Sequence, residues 1–90
     1  MGQRKLLMET LVMLARQPDQ GANLVIVGRA IDGHFLLIDS NKEAQRSELE
    51  WMQEAISERV KQDGSLSKFF ENVHDIINAR LSQLEDDEVG

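Results

Sequence analysis

Cysteine is absent from the 90 residues, proline occurs once, and the aromatic side chains are three Phe and one Trp. Without Cys there is no disulfide framework and no thiolate chemistry. Long apolar runs are missing too: none approaches the roughly 20 residues of a membrane span. Cations are scarce, 10 Lys and Arg against 16 Asp and Glu, for a net charge of −6. Binding to a nucleic-acid backbone or an anionic membrane surface needs clustered cations, so neither is an expected partner. The start of the sequence has no signal-peptide pattern. Leu6 stands where a myristoylation signal following Met1-Gly2 has Ser or Thr. The expected location is the reducing cytoplasm.

Apolar residues make up 41% of the chain, enough for a core. This length makes one domain, expected over residues 1–85, with an acidic tail at 86–90 expected to be disordered. Charge is uneven. Residues 1–30 carry Arg4, Lys5, Arg16 and Arg29 against Glu9 and Asp19, and the remainder is strongly acidic. Such halves complement one another within a chain, or dock between chains.

The fold expectation is α+β in the order α-β-β-α-α. Gln3 to Gln17 reads as a helix that is apolar nearly all round, ended by Pro18 and Gly21. Asn23 to Asp39 reads as a β-hairpin. Leu24–Ile31 and Phe35–Ile38 are rich in β-branched and apolar residues, and Asp32-Gly33 is the pair a type I′ turn prefers. Both faces of that hairpin are apolar, and two strands leave two open edges. The expectation is therefore one antiparallel hairpin packed with three helices, its sheet completed across a homodimer. Ser40-Asn41-Lys42-Glu43 matches a capping box for the next helix, which carries Leu49, Met52, Ile56 and Val60 as a stripe and ends at Gly64. Ser65 is the expected N-cap of a last helix running to about Leu84. Its stripe of Leu66, Phe69, Phe70, Val73, Ile76, Ile77, Leu81 and Leu84 is the strongest amphipathic pattern in the chain.

Chemical signatures are missing. No Ser lies in a G-x-S-x-G elbow, and no pattern calls for a cofactor, so the expectation is not an enzyme. Glu71 and His74, three apart on one helix, would need a facing second copy to hold a metal. They read as a half-buried boundary, and no metal site is expected. His34 reads as a surface or cross-strand residue. The lone Gly28 is not a phosphate fingerprint; it reads as a bulge or a close backbone approach. A helix-turn-helix reading founders on the single cation, Lys68, in the opening turns of the last helix.

Five residues break the pattern in a way that suggests a partner. Trp51 projects away from the stripe of its helix. Arg80 falls inside the apolar stripe of the last helix, and Arg29 on an apolar face. Leu6 and Met13 lie off the main stripe of the first helix. For the arginines the alternative is an internal ion pair or snorkelling, and for Trp51 packing within the chain. Trp and Arg are favoured interface anchors. The sequence thus suggests a small acidic protein-binding module, a regulator, inhibitor or chaperone-like adaptor, acting as a homodimer. The alternative is a small-ligand sensor with Gly28 lining its pocket, or, behind that, a nucleic-acid binder.

Overall fold

The computed structural model describes residues 2–38 and 41–85, together with the backbone of 86–89. Four helices follow one another: α1 (Gly2–Arg16), α2 (Gln20–Leu37), α3 (Lys42–Gln62) and α4 (Ser67–Val89), with a 3-10 turn (Gly64–Leu66) before α4. The expectation for the tail at 86–90 lies outside the fully described residues.

No strand occurs among the described residues, so the α+β assignment and its hairpin are corrected to an all-helical bundle. The segment that read as two strands and a turn is α2. Neither Asp32 nor Gly33 has the positive φ that a type I′ turn requires. The physical reason is an ambiguity of pattern. A continuous apolar run fits a buried strand and a buried helix equally well. Read at helical spacing, Asn23, Val27, Ile31 and His34 form one buried stripe. A helix also satisfies its own backbone groups, whereas an isolated hairpin leaves two edges open. β-propensity is weak where packing decides otherwise. With the hairpin goes the sheet completed across a dimer.

Pro18 does end the first helix, but the loop it opens is only three residues long. Asp19 takes a left-handed backbone, φ 62°, and its carboxylate accepts a hydrogen bond from the Ala22 amide, 3.4 Å away. Asp tolerates that conformation better than most residues and is a preferred N-cap. Asn23, read as the start of the hairpin, is instead buried in the first turns of α2. Its side-chain amide donates to the carbonyls of Leu14 (3.0 Å) and Pro18 (3.1 Å), closing the open end of α1. At the start of α3 the cap is Asn41, whose side chain accepts from the Ala44 amide at 2.9 Å. The expected cap Ser40 lies outside the described residues. Asp63, rather than Ser65, organises the corner before α4, accepting from the Ser65 amide (3.1 Å) and hydroxyl (2.6 Å).

Directions follow from the cross-links. Arg4 meets Glu48, near the start of α3, and Arg16 meets Asp63, just past its end, so α1 and α3 run parallel. Gln53 donates to Asn78 at 2.6 Å, and Val60 and Phe70 line one cavity, so α4 returns antiparallel to α3. α2 returns antiparallel along α1 and leans on α4. The bundle is up-down-up-down, with α1–α2 and α3–α4 as its two hairpins. The core is fed by every helix: Leu7, Leu11 and Leu14 from α1, Val27 and Ile31 from α2, Leu49, Met52 and Ile56 from α3, and Phe69, Phe70, Val73 and Ile77 from α4. The stripes read from sequence on α3 and α4 are the faces that are buried, except that Val60, Ile76 and Leu81 sit at the margin.

Candidate interaction face

The surface is unusual in one place. Among the described residues the exposed large hydrophobic side chains are Leu6 (57%), Met13 (50%), Val25 (61%), Ile26 (42%), Leu36 (83%) and Leu37 (64%). All six stand on α1 or α2. The first helix, apolar nearly all round, is not covered all round within one chain.

Five of the six belong together. Leu6 lies on the edge of α1 that faces α2, whereas Met13, seven residues on, lines a separate cavity with Arg59 of α3. Leu6, Leu7 and Thr10 of α1 line one shallow cavity of about 200 Å³ with Ala30, Gly33, His34 and Leu37 of α2. Small residues at 30 and 33 make the groove. At about 100° per residue, the outer arc of α2 carries Val25, Ile26, Arg29, Asp32, Gly33, Leu36 and Leu37. The arc and the groove form one continuous strip, with Arg29 and Asp32 as the charges on the arc.

Charge follows the same division. Residues 2–38 carry Arg4, Lys5, Arg16 and Arg29 against Glu9, Asp19 and Asp32, close to balance. Residues 41–90 carry six cations against twelve carboxylates. The apolar strip therefore occupies the half of the chain that is not acidic.

Beneath the strip lies a polar node. Glu48 on α3 accepts hydrogen bonds from the Arg4 guanidinium of α1, at 3.1 and 2.5 Å, and faces His34 Nε2 of α2 at 2.8 Å. A carboxylate only accepts, so Nε2 carries the proton in that contact. His34 is 3% exposed, and its Nδ1 has no partner among the described residues. The surface or cross-strand reading of His34 is thereby corrected: it is a core residue. The Arg4 hydrogen bond, foremost, holds the Glu48 carboxyl below its ordinary range; partial burial opposes this, and His34 adds to it. Arg4 also lies over the Trp51 ring, 4.6 Å from its centre. One carboxylate thus joins three helices.

The five residues singled out from sequence separate into two groups. Leu6, Met13 and Arg29 are exposed on α1 or α2. Trp51 is half-buried, covered by Arg4 and packed on the core. Arg80 pairs with Asp32 and donates to the Gly28 carbonyl at 3.3 Å, tying α4 to α2. The close approach expected at Gly28 is this guanidinium: a Cβ there would stand 3.3 Å from Arg80 Nη2. Gly28 does not line the α1–α2 groove; Gly33 does. Sequence reading missed Val25, Ile26, Leu36 and Leu37 because a strand reading buries them. Helical spacing was the signal that would have found them.

Glu71 and His74 share a second cavity, about 220 Å³, with Ser57, Val60, Ser67 and Phe70. No group of three metal-ligating side chains occurs among the described residues. None of the helices described is long and apolar enough to cross a membrane. No protein-family model, curated protein or solved structure matches the chain.

Proposed function

We propose that this chain is a protein-binding module, a regulator, inhibitor or adaptor by class, whose working surface is the α1–α2 face. The observation that carries the reading is the gathering of five of the six exposed large hydrophobics, Leu6, Val25, Ile26, Leu36 and Leu37, on that face. Monomeric proteins scatter single apolar residues over their surfaces, and a contiguous patch marks an interaction site. Arg29 within an apolar arc adds one of the residue types favoured as interface anchors. Trp51 and Arg80 support the surface from within, by holding α1 and α4 in place.

A small-ligand reading has the 200 Å³ groove in its favour. Pockets for small molecules usually enclose about 300–1,000 Å³, so the groove is undersized and the flat apolar strip around it is the larger feature. Protein binding is the better reading.

Photo-crosslinking tests it. A photoreactive amino acid replaces Leu37, or Glu54 on the exposed side of α3, in the full chain expressed in its host. Position 37 should give adducts of discrete mass, and position 54 none. Equal or absent adducts at both positions would remove the α1–α2 face as the working surface.

A further inference from the structure

We infer that the α1–α2 face takes a second copy of this chain, with α2 antiparallel to α2 of the partner subunit about a two-fold axis between Ala30 and Ile31. The inference rests on that face being the working surface, and adds the partner and its register. The outermost residues of α2 are Val25, Arg29, Asp32 and Leu36. Their spacings of four, three and four are those of a heptad seam. The order apolar, cation, anion, apolar is also its own complement when reversed.

Laid antiparallel, Val25 meets Leu36 of the partner subunit, and Arg29 meets Asp32 of the partner subunit. Both pairs occur twice. A parallel arrangement would set Arg29 on the partner's Arg29 and Asp32 on the partner's Asp32. The charges therefore choose the direction, as polar residues do in a coiled-coil seam. Arg29 has no ion pair among the described residues, while Asp32, although held by Arg80, keeps 60% of its side chain exposed. A carboxylate accepts from two guanidinium groups without strain. Ile26 and Leu37 flank the seam on the α1 side, where Leu6 widens it, and Gly33 leaves room for close approach. The near-balanced charge of residues 2–38 allows this half to meet itself. The acidic α3 and α4 stay outside.

Sedimentation equilibrium of the full chain and its variants tests this. Wild type should be a dimer at micromolar concentration. Arg29→Asp, and separately Asp32→Arg, should each weaken dimerisation about tenfold or more, since each juxtaposes like charges twice. An equimolar mixture of the two variants should dimerise like wild type, because both pairs in the mixed dimer are again opposite in sign. Circular dichroism checks that each variant is folded.

A second measurement is independent of Asp32→Arg, which also removes the contact to Arg80. The double variant Val25→Cys/Leu36→Cys should join into covalent dimers with a bismaleimide spanning roughly 8–10 Å, the interaxial distance of packed helices. Val25→Cys alone should not, because its own copies would be offset by about 16 Å along the axis. A wild-type monomer would overturn self-pairing. So would a dimer indifferent to Arg29→Asp, or crosslinking by Val25→Cys alone. If a monomeric wild type still gives adducts to another protein from position 37, the interaction face stands and only self-pairing falls. If it gives none, both fall.

Discussion

Glu48 is the residue on which most of the polar interior converges. Its carboxylate is 12% exposed and is shared by Arg4 and His34. Because its folded-state pKa lies below the ordinary 4.5, its contribution is complete above that value and is lost as the pH falls through the lower folded value. Glu48→Gln keeps the shape but not the charge. It should lower stability by about 1–2 kcal/mol at neutral pH, since hydrogen bonds to charged groups exceed neutral ones by roughly that much. The difference from wild type should close below the ordinary carboxylate range, where wild-type Glu48 is protonated as well. Thermal melts of both proteins from neutral to acid pH check it, and a gap independent of pH would show that the charge is not what matters. None of this was legible in the sequence. Glu48 is one acidic residue among many, and its role depends on two helices that are 14 and 44 positions away from it.

At the scale of elements, α2 and α4 illustrate opposite cases. The stripe of α4 was readable because its apolar residues recur at helical spacing and nothing else competes. Phe70 is fully buried there, and Phe70→Ala should cost about 3–5 kcal/mol, read as a loss of most of the denaturant midpoint. A variant that unfolds close to wild type would place the core elsewhere. α2 misled because apolar β-branched residues fill nearly its whole circumference. Gly33 decides between the two readings by experiment. In a hairpin turn it would need a positive φ, and Ala would strain it. In α2 a Cβ at Gly33 meets nothing within 4 Å. Gly33→Ala should therefore raise stability, by about 0.5–1 kcal/mol, through the helix preference of Ala over Gly. A chemical-denaturation curve gives the sign, and a clear loss would favour the turn.

For the whole molecule, charge and apolar surface are both segregated. α1 and α2 carry the exposed apolar residues and a near-neutral charge, while α3 and α4 carry the acidity. Such a distribution presents no cationic track to a phosphate backbone. The full chain should give no salt-sensitive binding to duplex DNA in a fluorescence-anisotropy titration at low salt, since that binding comes mainly from displaced counterions. Micromolar, salt-dependent binding would contradict the charge argument. The same segregation explains how a small bundle tolerates so much exposed apolar surface: the patch is gathered on one side, where a single contact can cover it.

The sequence by itself determined that α1, α3 and α4 are helices, the stop at Pro18, and the buried stripes Leu49, Met52, Ile56 and Phe70, Val73, Ile77. Those features depend on local spacing and on a helix-breaking proline, which act over a few residues. It also settled the absence of thiol chemistry and the acidic balance. Only the tertiary structure decided the state of residues 23–38, because a run that is apolar on all sides takes its conformation from what packs against it. α2 packs mainly along α1 and α4, and Glu48 of α3 reaches its His34. α1 and α4 bury one side of it with Leu7, Leu11 and Ile77 in the core, hold another through Arg80, and leave Val25, Arg29 and Leu36 facing outward. Which apolar residues become surface follows from that packing, and the helical spacing in the chain marks them only once the segment is known to be a helix.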